Sequence, residues 1–447
     1  MQPANCLNTA EPIPRAAPTR RHNQSRRFTL LSAALRSSLW GLLGAGACAL
    51  LATGCSSRDG DLQGRIELVV GVSGVDQLSY DLIKERTNQI NQLVSDFEQL
   101  HPGVKVNVGV WREQDFEREV RQRNATGLGP DLMFLSSPMA RLLVRNGLVR
   151  AVRFPAEVSK QLDGSSIHNM SLAGGWMAGL PVLQEPQVAC FDRERMTDPP
   201  DSIQGLLESS ETGREIGMAL DPVDLYWTAG PLGANQAFAE LLRGQPVTDD
   251  QRQQIRFWLT WLQNSNKLLR VNFFANEEQL VQGLMERRLD WIPCHSSNMQ
   301  RLRKRMGRRL GVSVLPGDFA GEATPTTRLR VWAFGVNSSA NQRQISESFA
   351  AFTVNPLIQR NLTLHTLQML PVNRFVPPPV GSSSVLQALV NAEQQGRATE
   401  SLSLSVPAGD PRRKNLERLL MRLVFGDLTP DEATAQVIAI VRERPTP

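Results

Sequence analysis

Residue types that carry out catalysis or bind metals are few in this chain and lie far apart. The five histidines are His22, His101, His168, His295 and His365, and their spacing matches no zinc-binding motif. The sequence also lacks a GxxxxGK[ST] phosphate loop, a GxSxG nucleophile motif and a GxGxxG dinucleotide motif. We therefore expect no catalytic residues, no metal, no cofactor and no enzymatic activity.

The residues that precede Cys55 indicate that this cysteine is chemically modified. Residues 37–54 carry no charge, follow an arginine-rich segment and end in Leu-Ala-Thr-Gly. This order is typical of a secretory signal peptide, and the sequence before Cys55 is similar to the lipobox of bacterial lipoproteins, with Ala52 where leucine is commoner. The similarity implies cleavage before Cys55 and acylation of this residue, which anchors the chain to a membrane on its extracytoplasmic side. An uncleaved anchor helix is the alternative, and four glycines in the segment disfavour it.

The leader accounts for the whole net charge of the chain. Residues 1–54 hold six arginines and one acidic residue, whereas the remainder carries 43 basic and 43 acidic residues. Because a nucleic-acid groove needs surplus lysine and arginine in the folded part, we expect no nucleic-acid partner. The part that follows the leader exceeds the size at which single hydrophobic cores stop growing, so the sequence predicts two domains.

Two further cysteines, Cys190 and Cys294, follow Cys55 in apolar segments that we predict to be strands. A disulfide persists outside the cytoplasm, so a bond between them is one possibility. Buried free thiols are common inside proteins, and each cysteine has apolar neighbours. We therefore predict that both are buried and unpaired, with the disulfide as the alternative.

Extended and helical patterns alternate along the chain. Residues 66–72 are apolar enough for a buried strand, and Ile90, Leu93, Val94 and Phe97 have the spacing of one helix face. Further strands are predicted at 104–110, 132–135, 182–191, near 291 and at 312–315, and further helices at 116–124, around 255–262, at 415–425 and at 430–442. Strands that are separated by helices favour a parallel α/β sheet.

Seven short segments, in order, give the chain a specific resemblance. They are residues 97–104, 126–134, 146–150, 179–181, 199–202, 315–317 and 370–373. Together they resemble segments of the extracellular solute-binding proteins of ATP-binding-cassette (ABC) importers, in the branch that includes maltose- and oligosaccharide-binding proteins. The resemblance spans about residues 65–443, and its main departure is the missing tryptophan after residues 199–202.

The resemblance implies an α/β periplasmic-binding-protein fold of type II, with two lobes joined by crossing hinge strands. Each lobe would be a mainly parallel sheet flanked by helices. The implied division is a signal peptide at 1–54, a lipidated tether at 55–64, lobe one at 65–182 and 329–373, and lobe two at 183–328 and 374–447. The implied function is that of a monomeric subunit that captures a small solute, most simply a sugar or glycoside, in the interlobe cleft. It would deliver the solute to ABC permease and ATPase subunits.

The resemblance and the strand ends together predict the residues that line the cleft. Trp227 matches a position where the family presents a stacking aromatic ring, and Glu185 matches one that supplies a hydroxyl-binding carboxylate. The other predicted residues follow strands, at the carboxyl ends where α/β sheets bind ligands, or lie on the strand that returns to lobe one: Ser73, Ser136, Ser137, His295 and Trp332. The alternatives are core positions for the tryptophans, a hinge ion pair for Glu185 and helix capping for Ser136 and Ser137.

Other functions remain open at this point. The same fold binds polyamines or oxyanions in related proteins, whereas iron capture uses clustered tyrosines and this chain has only Tyr80 and Tyr226. A sensor subunit would present its closed form to a receptor. An extracytoplasmic hydrolase would show turnover, where a binding protein shows only saturable binding.

The lipid anchor predicts the behaviour of a Cys55→Ala variant. Without the acylated cysteine, the chain should lose its membrane association or accumulate as unprocessed precursor, because the remaining sequence offers no other lipid attachment. Cell fractionation with immunoblotting measures both outcomes. A variant of mature length that still sediments with the membranes would contradict the lipoprotein prediction.

Overall fold

The computed structural model describes residues 62–72, 78, 80–318, 320–366, 369–397 and 410–443. The predicted signal peptide, Cys55 and the candidate site residue Ser73 lie outside the described residues, so these predictions stay predictions. Within the described ranges, no helix combines the length and the apolar character that crossing a membrane requires.

The described residues form one mixed sheet with helices around it. The strands in chain order are β1 (Gly64–Val72), β2 (Val104–Arg112), β3 (Leu132–Ser136), β4 (Val149–Arg150), β5 (Leu180–Asp192), β6 (Ile216–Ala219), β7 (Val271–Phe274), β8 (Trp291–His295), β9 (Leu310–Ser313), β10 (Thr327–Gly335) and β11 (Leu370–Pro371). The helices are α1 (Tyr80–Leu100), α2 (Phe116–Ala125), α3 (Ser137–Arg145), α4 (Ala156–Ser159), α5 (Gly164–Met170), α6 (Ile203–Glu211), α7 (Pro222–Leu225), α8 (Asn235–Leu242), α9 (Asp249–Ser265), α10 (Glu277–Met285), α11 (Met299–Met306), α12 (Ala340–Thr353), α13 (Pro356–Thr366), α14 (Ser384–Gly396), α15 (Pro411–Val424) and α16 (Pro430–Arg442).

The sheet consists of two parallel groups that are joined by antiparallel strands. β1 pairs in parallel with β2 and β3, and β6 pairs in parallel with β7 and β8. We call these sets the first and the second parallel group. Between them lie β10 and β5, which pair antiparallel with each other, with β3 on one side and with β8 on the other. We call β5 and β10 the crossing strands.

The strand β5 lies between the two groups, with β10 on one side and β8 on the other. All 13 of its residues are buried, and at about 3.3 Å per residue it extends over roughly 40 Å. Up to Pro186 its partners are β10 and β11, and from Gln187 onwards its partners are β8 and β9. Side chains around Pro186 therefore lie where the first group passes into the second.

Hydrophobic burial matches the sequence patterns closely. Ile90, Leu93, Val94 and Phe97 form the buried face of α1, and Trp332 of β10 belongs to the same core. A second and larger core is formed where α8, α9, α15 and α16 pack against the second parallel group. Residues 59–447 form one compact unit, so the predicted lobe boundaries stay a prediction.

Among the element boundaries that differ from the sequence prediction are those of α15 and β9. α15 begins at Pro411, four residues before the predicted start, because the Asp410 side chain accepts a hydrogen bond from the Arg412 backbone and caps the helix. β9 begins at Leu310 and ends at Ser313, two residues earlier than predicted. The last helix has its predicted bounds, and Thr429 forms the expected capping box with Glu432.

Cys190 and Cys294 are fully buried as predicted, but the prediction that they are unpaired is wrong, because they form a disulfide. In the antiparallel pairing of β5 with β8, Val188 lies opposite Cys294 and Cys190 lies opposite Ile292. The cysteines are therefore diagonal neighbours on one face, with Cα atoms 6.0 Å apart, a separation that suits a disulfide.

The disulfide predicts a stability difference. Replacing both cysteines with alanine should lower the free energy of unfolding by about 2–5 kcal/mol, because the bond closes a long loop and restricts the unfolded chain. Urea unfolding of the oxidised protein and the double variant measures this difference. Reductant should destabilise the wild type and leave the double variant unchanged. If alkylation of the unreduced, denatured protein labels either cysteine, the disulfide is absent.

Candidate functional site

One face of the crossing strands carries a line of polar side chains. Residues two apart on a strand share a face, and so do residues directly opposite each other in an antiparallel pair. The opposed pairs are Arg330 with Ser136, Arg328 with Glu185, and Gln187 with His295. We call these six residues the polar row. The row extends from β3 of the first parallel group, over both crossing strands, to β8 of the second.

At the first parallel group, Arg330 is bound by a buried carboxylate. Its Nη1 donates to Oε2 of Glu113 at 3.1 Å, and its Nη2 donates to the carbonyl oxygens of Gly71 at 2.7 Å and Phe134 at 3.1 Å. The backbone N–H and the hydroxyl of Ser136 donate to the other oxygen of Glu113. This network fixes Arg330 against the carboxyl ends of β1 and β3.

At the second parallel group, Arg328 joins two buried carboxylates. Its Nη1 donates to Oε2 of Glu277 at 2.9 Å, and its Nη2 donates to Oδ1 of Asp224 at 2.5 Å. The imidazole of His295 is fully buried, with Nδ1 3.0 Å from Oε2 of Glu277 and Nε2 3.2 Å from Oγ1 of Thr326. These contacts tie β10 to α7, α10 and β8.

The two carboxylates that share Arg328 differ in their acidity. Burial opposes the ionisation of Glu277, but the charges of His295 and Arg328 and the hydrogen bonds from His295 outweigh it and lower the pKa of Glu277. Burial raises the pKa of Asp224; Arg328 opposes this rise, and Asp221 adds to it. Glu277 therefore keeps its negative charge more firmly than Asp224 does.

Asp224, Glu277 and His295 also offer the atom types that bind metal ions. One ligand atom from each lies within 4.8 Å of the others. The guanidinium group of Arg328 already pairs with both carboxylates, so a cation is present in the network. We assign these residues to an internal ion-pair network.

Glu185 differs from the other acidic side chains of this region. It is 5% exposed and lies opposite Arg328. Within the described ranges, no residue donates a hydrogen bond to its carboxylate or forms an ion pair with it. Burial raises the pKa of Glu185, and the charges of Arg330, Arg328, His295 and Arg86 oppose the rise. Its carboxylate can therefore accept hydrogen bonds from a bound molecule.

The two tryptophans that were predicted to line the cleft are core residues in this structure. Trp227 is fully buried, and its ring centroid lies 5.8 Å from that of Trp291. Trp332 is also fully buried, packs edge-on against Phe349, and donates its indole N–H to Oγ1 of Thr353 at 2.8 Å. Because neither ring faces solvent, the structure supports the core alternative for both.

The serines that follow β3 have different surroundings. Ser136 occupies the N-cap position of α3, but its side chain makes no capping hydrogen bond and contacts Glu113 instead. The capping alternative is therefore wrong for Ser136. Ser137 is the first residue of α3 and is half-buried.

Sequence reasoning missed five residues of these networks: Glu113, Asp224, Glu277, Arg328 and Arg330. The arginines had a recognisable signal, because they stand two apart before the apolar residues 331–335 and a strand places both on one face. The carboxylates had none. Glu113 and its partner Arg330 are 217 residues apart in the sequence, and Asp224 and its partner Arg328 are 104 residues apart.

Comparison with protein families gives one match to this chain. The family described as bacterial extracellular solute-binding protein matches residues 92–388, more than half of the chain. A comparison with curated proteins finds no match.

Solved structures give further similarities at low sequence identity. The GacH receptor of Streptomyces glaucescens GLA.O has a TM-score of 0.65 at 14% identity, over 84% of this chain and 98% of that one. A cyclo/maltodextrin-binding protein has a TM-score of 0.63 at 14% identity, over 84% and 96%. The maltodextrin binding protein MalE1 from L. casei BL23 has a TM-score of 0.62 at 14% identity, over 86% and 100%. The predicted α/β periplasmic-binding-protein fold is confirmed.

The ion-pair network predicts a large effect for Arg328→Met. The substitution leaves Asp224 and Glu277 buried without their cation, so it should lower the free energy of unfolding by about 3–5 kcal/mol. The matched control is Arg121→Met, since Arg121 pairs with Glu117 on the surface of α2 and is 59% exposed. The control should change stability by less than about 1 kcal/mol in urea unfolding. Equal losses in the two variants would refute the network's role.

Proposed function

Because the chain belongs to the bacterial extracellular solute-binding protein family, we propose that it captures a sugar or glycoside for an ABC importer. Two structures of similar fold are described with such ligands, the GacH receptor with acarbose and the cyclo/maltodextrin-binding protein with maltotetraose. The proposal includes delivery of the solute to a membrane permease. It also includes an extracytoplasmic location and a lipid anchor on Cys55, as the leader sequence indicates.

The polar row is the observation that carries this proposal. It lies on one face between the first parallel group and the second. Gln187 and His295 are fully buried, so we propose that the solute binds against the partly exposed members, Ser136 on the first side and Arg328, which Asp224 and Glu277 hold from the second side. A ligand that contacts both lobes stabilises the closed form of a two-lobed protein relative to the open form. We propose that the lobes are residues 65–182 with 329–373 and residues 183–328 with 374–447, so that β5 changes lobe near Pro186.

The chemistry of the row favours binding over catalysis. A glycoside hydrolase uses two carboxylates on either side of the scissile bond. Here Glu113, Glu277 and Asp224 each pair with an arginine, which leaves Glu185 as a single carboxylate without such a partner in the described residues. We therefore propose that the protein binds its solute and releases it unchanged.

The proposed function predicts saturable binding with compaction and without turnover. A solute at a hundred times its Kd should raise the free energy of unfolding by about 2.7 kcal/mol. Thermal unfolding of the chain from residue 55 onwards, screened against neutral sugars, sugar acids, amino sugars, polyamines and anions, detects this gain. Small-angle scattering at saturation should show a smaller radius of gyration, because a two-lobed protein closes on its ligand. Chemical conversion of a bound sugar, or binding of anions alone, would contradict the proposal.

A further inference from the structure

Nearly every buried charge in and beside the polar row has a partner of opposite charge. Glu113 pairs with Arg330, and both Asp224 and Glu277 pair with Arg328. These three acidic side chains are between 5% and 8% exposed. Such pairing is expected, because an ionised group without a partner is unfavourable in a protein interior.

Glu185 is the exception among the acidic side chains of this region. It is as buried as Glu113, at 5% exposed, yet its carboxylate receives no hydrogen bond and no ion pair from the described residues. Its oxygens are not among the fully enclosed side-chain atoms that lack a partner, so the carboxylate keeps some contact with the solvent side. The position therefore suits a ligand that brings a donor of its own.

The arginines of the row are already engaged by protein oxygens. Arg330 is held by Glu113 and by two backbone carbonyl groups, and Arg328 is held by Glu277 and Asp224. A carboxylate or phosphate of a solute would have to displace these contacts before it reached either guanidinium group. The row thus offers no ready partner for an anion.

We propose that the solute carries a protonated amine and that Glu185 binds this amine. The inference rests on the proposed function and specifies in addition that the solute carries a positive charge. A neutral hydroxyl group supplies a hydrogen bond, whereas an ammonium group supplies both the hydrogen bond and an opposite charge in direct contact with the carboxylate. Amino sugars and polyamines share this chemistry.

The surroundings of Glu185 are compatible with a bound cation. The charges of Arg330, Arg328, His295 and Arg86 all act on it. Arg330 pairs with Glu113, Arg328 pairs with Asp224 and Glu277, and His295 contacts Glu277, so carboxylates offset most of this positive charge. Glu185 lies directly before Pro186, where β5 changes its partner strands. An amine at this point would touch a crossing strand, which lies between the two parallel groups.

Isothermal titration calorimetry on the chain from residue 55 onwards tests the inference with matched solutes. The first set is glucose, glucosamine and glucuronate; the second is cellotriose and the glucosamine trimer; spermidine represents the polyamines. We expect an amine-bearing solute to bind at least about tenfold more tightly than its neutral counterpart, which corresponds to about 1.4 kcal/mol. We expect no binding of glucuronate. Tight binding of a glucosamine compound would support both the sugar and the amine, whereas tight binding of spermidine alone would support the amine and contradict a sugar as the solute.

Two variants separate the role of Glu185 from a general loss of structure. Glu185→Gln keeps the shape of the side chain and removes its charge, so it should abolish the preference for the amine. Glu211→Gln is the matched control, because Glu211 is exposed at the end of α6, and it should keep the preference. Burial raises the pKa of Glu185, so the amine preference of the wild type should weaken as the pH falls and the carboxylate becomes protonated, whereas Glu185→Gln should show no such change. Titrations of spermidine, whose amines stay protonated, at two pH values measure this difference.

The outcomes also separate this inference from the proposed function. Equal binding of neutral and amine-bearing sugars would overturn the inference and leave the solute-binding function intact. An amine preference that persists in Glu185→Gln would overturn the role of Glu185. Failure of every solute in the thermal-unfolding screen to bind would overturn the proposed function, and the inference with it.

Discussion

The antiparallel pairing of β5 with β10 is the constraint on which the rest of this structure depends. These strands connect two parallel groups, and their register decides which side chains share a face. A shift of one residue would turn the polar row to the opposite face of the sheet. Arg330 and Arg328 fix the register from both sides, because one binds Glu113 beside the first group and the other binds Glu277 beside the second. Buried ion pairs of this kind specify geometry even where their net contribution to stability is small.

Much of the fold was predictable because its signals are local. The alternation of residues 104–110 and the apolar face of α1 indicate their structures within a few residues. The start of α15 was missed because its apolar pattern begins only at Leu416, whereas the Asp410 cap and Pro411 determine where the helix begins. The cysteines show the same limit: their burial follows from apolar neighbours, but their bond depends on β5 lying beside β8, which no local pattern shows.

The candidate site was less predictable, because its parts come from distant segments. Glu185 was named from the family resemblance, and the structure adds that its carboxylate lacks a donor in the described residues. Trp227 was named in the same way and Trp332 from its place on a crossing strand, but a large aromatic ring suits a core as well as a ligand site, and only packing distinguishes the two. The spacing of Arg328 and Arg330 indicates that both lie on one face of a strand, but no sequence pattern identifies the carboxylates that bind them.

Hydrogen–deuterium exchange with and without a saturating solute tests most directly whether the polar row is the binding surface. With the sugar or amino sugar that binds most tightly, we predict slower exchange in peptides that cover residues 184–187, 295–298 and 327–330. We predict no change in α16, which packs in the larger hydrophobic core away from the row. Protection confined to α15 and α16, with unchanged exchange in β5 and β10, would contradict the account.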